Sequence, residues 1–575
     1  MKTEKKLTGY PSIDRPWLKY YSYEAINAPL PECTIYEYLW ENNKDHLDDV
    51  ALIYFGKKIT YGELFENIDK IASALILRGI KEGDTITLCT LTTPETIYCI
   101  YAAGKLGVLC NIVEPRVNAE SIVMRINETN SKVLIILDVF YNKIKSQKIN
   151  ADITVITSLK QSMGMLTKIG FSLTKERKIP KVTYSKIMIS WETFIQAPKA
   201  NEKATYKKNL PLAVIYTSGT TGIAKGAVLS HYSVNAVPSQ CRFPFPHSRG
   251  DRFFAIMPPF IAYGLVSGIH VPLSLGLTMV IVPMFVPQKF PDYILKYKPN
   301  FFLGVPSYYE YLLNSKKLKS ADLSFIKVAG MGGDALNIKF EKMITDFLKS
   351  HNTRPIVYKG YGLTEMSGAS VAVALSMKGD EYGALGVPYP KNTVSVFEPG
   401  TDKELKIGEQ GEICVTGPGM MLGYYNNEEE TEKILKYHSD GLRWAHTQDL
   451  GYVDADGLIY FVDRIKRMIV RPDGHNVFPA QIEAVLLQHP SVEQCCVVGL
   501  KNPDSDNGRI PTAFVVLKEN ARIDSSKTDL DAFSKERLPE RDVAMQYHFI
   551  DKLPLTPVGK VDYRALEQQA ANEQR

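Results

Sequence analysis

At 575 residues the chain is longer than one hydrophobic core usually serves, so two or more domains are expected. Its 45% hydrophobic and 23% charged content is that of a globular protein, and a formal charge of +5 over this length is no argument for a nucleic-acid partner. The sequence lacks the run of roughly eighteen apolar residues that a membrane-spanning helix needs, and no apolar segment follows the basic N-terminus as in a secretory signal, so a cytoplasmic location is expected.

The eight cysteines are scattered and form no Cys-x-x-Cys pair; most lie in apolar surroundings, as at Cys110 and Cys414. That pattern favours reduced core thiols over metal ligands or disulfides.

Residues 1–30, rich in aromatics and proline, read as an extended arm lying on a larger body. The first regular unit starts at Thr60, which can cap a helix, with Glu63 at the capping-box position. Leu64, Ile68, Ile71, Ala72 and Leu75 then share one helical face. A glycine-rich turn leads to a strand over 85–89, a second helix over about 96–106 and a strand over 107–113. This alternation predicts an α/β domain with largely parallel sheets. Residues 143–186 break the pattern, with ten Lys/Arg against two acidic residues and apolar side chains interleaved. Such a segment can rest on anionic lipid or guide an acidic substrate; a solvated surface insertion with an apolar underside is the preferred reading.

Residues 216–226 read Tyr-Thr-Ser-Gly-Thr-Thr-Gly-Ile-Ala-Lys-Gly, after the apolar run 212–215. A strand entering a loop of hydroxyls, glycines and one lysine offers many donors to polyphosphate oxygens. The order is not that of a Walker A loop, and alone it is as readily a flexible connector. Three later stretches, 301–307, 327–334 and 355–365, repeat the strand-to-loop pattern and suit a ligand crevice at the carboxyl ends of parallel strands. From Gly383 the texture turns to short strands and turns, a β-rich subdomain. After the polar break 463–467 comes a compact unit with a helix near Pro479 and strands over 494–499 and 513–517. The expected domains are therefore 1–465 and a smaller α+β unit, 466–575.

Five motifs now stand in order: 217–226, Tyr-Gly-Leu-Thr-Glu at 361–365, Thr-Gln-Asp-Leu-Gly-Tyr at 447–452, Asp463-Arg464, and Pro-Leu-Thr-Pro-Val-Gly-Lys-Val-Asp at 554–562. Together they resemble the adenylate-forming superfamily of acyl-CoA synthetases, peptide-synthetase adenylation domains and luciferases, most closely fatty-acid or related acyl-CoA ligases. The resemblance implies an ATP-, Mg²⁺- and CoA-dependent ligase in which a carboxylate attacks the α-phosphate of ATP and a thiol then displaces AMP. It implies that Thr217, Ser218, Gly219, Thr220, Thr221, Gly222 and Lys225 cradle phosphates, that Glu365 holds Mg²⁺ and that Thr364 bonds the α-phosphate. Gly332, Gly333, Asp334, Ala335, Gly360, Tyr361 and Gly362 would surround the adenine, with Asp449 and Arg464 on the ribose or phosphate. Lys560 is the expected adenylation residue, because a cation there stabilises charge where it gathers in the transition state. Lys466 matches the hinge of a small mobile C-terminal domain, and Arg471, Gly474 and His475 a loop that faces the thiol.

The sequence departs from the commonest family pattern at three positions: Gln448 in place of glycine, Lys359 in place of glutamine, and Ile261 where many relatives carry a gating histidine. Phe260, Ile261, Tyr263, Gly264, Val305 and Met331 form the candidate acid pocket, which is apolar or aromatic. It lacks an aspartate to pair an α-amine, which disfavours an amino acid. A medium- or long-chain fatty acid is the expected substrate; the alternatives are an aryl acid, or an acyl carrier protein as the acceptor. Peripheral membrane contact stays open.

Overall fold

The computed structural model describes residues 7–174, 179, 181–217, 224–333, 338–353, 357–372, 381–473, 475–501, 508–518, 521, 523–555 and 561–573. The expected α/β architecture is present. One eight-stranded sheet runs, by neighbour, Gly423–Tyr424, Lys225–Ser230, Pro211–Thr217, Leu109–Ile112, Thr85–Cys89, Val133–Leu137, Ile153–Thr157 and Met188–Ser190. From Pro211–Thr217 to Met188–Ser190 the strands are parallel. Thr85–Cys89 and Val133–Leu137 are buried along their whole length, and the second is an unbroken Val/Leu/Ile run, as a strand covered on both faces reads.

A second, larger sheet joins two textures. Val50–Tyr54, Thr278–Ile281, Arg252–Ala255, Phe301–Gly304, Val328–Gly332 and Val357–Leu363 lie parallel in that order. Beyond Val357–Leu363 every pairing is antiparallel, through Gly368–Ala372, Ala384–Pro388, Ile459–Arg464, Arg443–Val453 and Gly411–Thr416 to Thr393–Phe397. The β-rich subdomain is thus continuous with the α/β part, and the strand carrying residues 361–363 is the seam between them.

The helix predicted from Thr60 spans Tyr61–Leu77, with both capping-box bonds formed by Thr60 and Glu63. Its predicted face, Leu64, Ile68, Ile71, Ala72 and Leu75, is buried. The arm differs from expectation: it is wound into short helices, Pro11–Asp14, Pro16–Tyr20 and Tyr23–Asn27, with proline opening two of them. It does lie on the body, through a fully buried Trp17 and through Ser12 donating to Glu404. All eight cysteines are free thiols, six of them buried.

After Ile459–Arg464 a single turn, Ile465–Arg467, leads into a separate small sheet of Val492–Lys501, Arg509–Leu517 and Gln546–Phe549, backed by the helix Pro479–Leu486. This unit has its own cores. Its third strand, Gln546–Phe549, escaped the sequence reading because it is short and half-buried.

Candidate active site

The hydroxyl- and glycine-rich stretch is the link of an antiparallel hairpin. Pro211–Thr217 enters it, Lys225–Ser230 leaves it, and Thr217 stands opposite Lys225. Residues 218–223, with Ser218, Gly219, Thr220, Thr221 and Gly222 among them, lie outside the described residues. Lys225, at the exit, ion-pairs with Glu430 and has its ammonium 5.4 Å from the centre of the Tyr424 ring. That pair, together with Lys433, holds the Glu430 carboxyl down at about 2. Tyr424 pairs with the same strand, opposite Ala227, and its hydroxyl donates to Glu365 Oε1 at 2.5 Å. Burial and the facing carboxylate push this phenol well above its usual range. The sequence reading missed Tyr424 and Glu430; their only signal was a Gly-Tyr pair and an acidic helix start lying between two recognised motifs.

Glu365 sits in the turn Thr364–Met366, beyond the strand Val357–Leu363. That strand carries a register irregularity between Tyr361 and Gly362, which aims it away from regular pairing at the motif. Gly332 ends the neighbouring strand opposite Gly360, and a Cβ on Gly332 would come within 2.7 Å of the Gly360 carbonyl. Gly333 continues with φ +81°, a conformation that favours glycine. Asp334 and Ala335 lie outside the described residues.

Tyr361 donates to Asp449 Oδ2 at 2.8 Å, and Arg464 Nε lies 3.3 Å from Asp449 Oδ1, the two residues facing each other across paired strands. Tyr361, Asp449 and Arg464, separated by as many as 103 positions, thus meet in one polar corner. Gln448 adopts φ +60°, which accounts for glycine being usual there: the turn demands a left-handed residue. Glu412 Oε1 accepts the Gln448 N–H at 3.0 Å and holds the turn. Among the described residues Glu412, Cys414 and His446 form a compact buried group, but His446 Nδ1 is hydrogen-bonded to Glu412 at 2.8 Å, and that pairing serves the turn. The second departure, Lys359, ion-pairs with Glu341 and donates to the Glu381 carbonyl at 3.1 Å, a buried contact a glutamine could not supply as a charge. Burial lowers the Lys359 ammonium pKa, with Glu341 opposing.

The apolar candidates separate into two groups. Val305 and Met331 belong to one buried cluster, with Tyr263 and Ile261 packed against it. Phe260 belongs to the larger core, which Ile261 also touches, and its ring lies 5.1 Å from the Arg116 guanidinium. Tyr263 opens a π-helix, Tyr263–His270, and donates to the Gly304 carbonyl at 3.4 Å. A Cβ on Gly264 would stand 1.8 Å from the Pro258 carbonyl oxygen, so only glycine lets this turn press on the proline pair. π-helical turns of this kind are frequent at functional sites.

The C-terminal candidates are arranged differently. Lys466 lies exposed in the turn; partial desolvation lowers its pKa, and Lys225 and Arg464 lower it further against Glu430 and Glu365. Arg471 donates to the Arg541 carbonyl at 2.7 Å, and His475 bonds Asp542 at 2.6 Å. Both contacts are within the small unit, so Arg471 and His475 do not join the Glu365 group here. Gly474 and Lys560 lie outside the described residues. Asp463, fully buried, accepts the Ala480 N–H at 2.7 Å and so ties the large sheet's last strand to the small unit's first helix.

A two-lobed chain with this mixed sheet and a hairpin lysine beside a carboxylate turn defines the adenylate-forming architecture. Known proteins agree. A family model described as AMP-binding enzyme matches residues 39–425, and one described as AMP-binding enzyme C-terminal domain matches residues 481–560. The chain is 32% identical over 574 residues to the long-chain-fatty-acid–CoA ligase of Bacillus subtilis (strain 168), spanning 97% of this chain and 99% of that one. It is 29% identical to the probable 4-coumarate–CoA ligase 1 of Dictyostelium discoideum, over 94% and 96% of the two chains. The solved anthranilate CoA ligase AuaEII in complex with anthranoyl-AMP superposes with a TM-score of 0.79 at 21% identity, over 95% of this chain and 99% of that one. A Mycobacterium tuberculosis fatty acyl CoA synthetase gives 0.71 at 22%, over 94% and 99%. The chain belongs to the AMP-binding enzyme family. Within it, it is an acyl-CoA synthetase.

Proposed function

We propose that this enzyme joins a medium- or long-chain fatty acid to CoA through an acyl-adenylate. One observation carries the reading: Lys225 and Glu365, remote in sequence, both touch Tyr424. A cation for phosphate oxygens and a carboxylate for a hard cation therefore share one cluster. In the first step a carboxylate oxygen of the acid bonds to the α-phosphorus of ATP and pyrophosphate leaves. Thr217 and Lys225, with residues 218–222, hold the departing phosphates, and Thr364 bonds the α-phosphate. Gly332, Gly333, Gly360, Tyr361 and Gly362, with Asp334 and Ala335, embrace the adenine, and Asp449 and Arg464 take the ribose. Glu365 fits a Mg²⁺ ion, since its carboxylate is half-buried beside the hairpin and oriented by Tyr424; the bound ion would neutralise phosphate charge. Lys560 is assigned on its motif alone, as the cation bridging carboxylate and α-phosphate. In the second step the thiol sulfur attacks the acyl carbon and AMP leaves, with Arg471, Gly474 and His475 toward CoA and the small domain, from Lys466 onward, turned to admit it.

The acid-pocket candidates Ile261, Tyr263, Val305 and Met331, with Phe260 and Gly264 beside them, are themselves apolar or aromatic, as suits an acyl chain, and the activity named for the Bacillus subtilis relative points the same way. The Dictyostelium relative's name favours an aryl acid as the second reading. Pyrophosphate release over a panel of fatty and aryl acids, each with CoA, a holo carrier protein or neither, decides substrate and acceptor. Turnover with fatty acids and CoA is the expected result. ADP as product would overturn the reaction class, and turnover confined to aryl acids or to the carrier would overturn the assignment.

A further inference from the structure

The helix Met165–Thr174 breaks the usual disposition of apolar side chains. None of its residues is buried. Phe171 packs against the core, fixing the helix to the body. On the outward side Leu166 is 87% exposed and Leu173 60%, with Met165 and Ile169 also exposed. The spacing of 166, 169 and 173 places three of them on one stripe. Tyr184 and Ile187, in the stretch leading to the edge strand Met188–Ser190, are exposed too. The two segments lie on the same core: Phe171 of the helix and Ile189 of the edge strand both pack against it, and Lys168 and Tyr184 both face Glu192 just after that strand. A patch of six large apolar side chains at the sheet edge demands a covering surface. Its charge says which. Lys160, Lys168, Lys181 and Lys186 surround the patch, against Glu192 and Asp138 facing Tyr184, an excess of positive charge.

We infer that the helix Met165–Thr174 is a docking element for an anionic lipid bilayer, its apolar stripe entering the headgroup boundary while the surrounding lysines meet lipid phosphates. Apolar stripe and basic surround are the two contributions on which interfacial helices depend. The inference stands independently of which acid the enzyme activates.

The full-length enzyme is sedimented with vesicles of phosphatidylcholine alone or mixed with phosphatidylglycerol, at low and high salt. Wild type binds the anionic vesicles and releases them at high salt. Leu166→Ser/Ile169→Ser/Leu173→Ser lowers anionic-vesicle binding by at least about tenfold, and Lys168→Glu/Lys181→Glu/Lys186→Glu does the same. Both retain wild-type pyrophosphate release with a soluble acid, which shows that they fold. Equal binding to neutral and anionic vesicles overturns the proposal, as does unchanged binding by the serine variant. A wild-type dimer that the serine variant converts to monomer, without vesicle binding by either, would assign the patch to a second copy of the chain and overturn it as well.

Discussion

Glu365 is oriented from a distance of fifty-nine positions in sequence, by the phenol of Tyr424. A bond of 2.5 Å to a carboxylate is short, as charge-assisted hydrogen bonds are, and its removal leaves that carboxylate free to rotate. Tyr424→Phe is therefore expected to lower kcat for pyrophosphate release by about tenfold or more, with little change in melting temperature. Unaltered kcat would separate Tyr424 from the chemistry. Lys359 illustrates the opposite case, a departure from pattern that belongs to stability. It and Glu341 are both nearly excluded from solvent, and Glu341 also accepts the Gly383 N–H at 3.0 Å. Lys359→Met strands a buried carboxylate and should destabilise the protein by about 3–5 kcal/mol; adding Glu341→Leu should recover part of that loss. Denaturation midpoints of the single and double variants check both, and a silent single variant would refute the coupling.

At the level of elements, the π-helix Tyr263–His270 is anchored at its far end by a neutral histidine. His270 accepts from the Tyr101 hydroxyl and donates to Asn235 Oδ1, each at 2.9 Å, in the tautomer that satisfies both partners. Nearby His231 accepts the Ile35 N–H at 3.0 Å, satisfying a donor at the start of the helix Ile35–Asn43. Burial holds both imidazoles down at about 3, against an ordinary 6.5. Since the unfolded chain takes up these protons first, the stability they contribute is complete above pH 6.5 and is lost as pH falls toward 3. Each should cost up to about 1.4 kcal/mol per pH unit within that window. Unfolding free energies measured from pH 7 to pH 4 should fall less steeply in His270→Gln than in wild type. Parallel slopes would remove His270 from the account. The helix at Tyr61–Leu77 was legible in the sequence because cap and apolar face both have local spacing, whereas the π-helix was not, because its wide turn answers to Pro258 packing on Gly264. The helix Met165–Thr174 was legible as an amphipathic basic segment, yet which face would stay outside depended on where Phe171 found the core.

Across the whole molecule, the motifs were legible as types of side chain, and their partners were not. Asp449 and Arg464 were readable as a pair of motifs; that Tyr361 completes their corner and that Glu412 holds the left-handed turn before them follows only from strands meeting across the seam of the large sheet. The same limit applies to the two lobes. Asp463 fastens the last large-sheet strand to the Ala480 N–H, Arg467 ion-pairs with Glu483, and Lys466 lies between them in a one-turn connection. On the proposed rotation of the small domain the backbone at 465–467 absorbs the change, and the Asp463–Ala480 bond, which spans that turn, has to open. Arg471 and His475, held by Arg541 and Asp542, must then travel with that domain as one body. Proline at 466 fixes φ there and disfavours the helical backbone of Ile465, so it restricts the connection without touching a candidate site residue other than the proposed hinge. Lys466→Pro is expected to leave one half-reaction, acyl-adenylate formation or thioester formation from supplied adenylate, within about threefold of wild type while the other falls by about a hundredfold. Single-turnover measurements of each half, on a variant whose melting temperature is unchanged, distinguish this from damage to the fold. If both halves proceed as in wild type, the turn at 465–467 is not the hinge, and the alternation of the domains must be sought elsewhere in the chain.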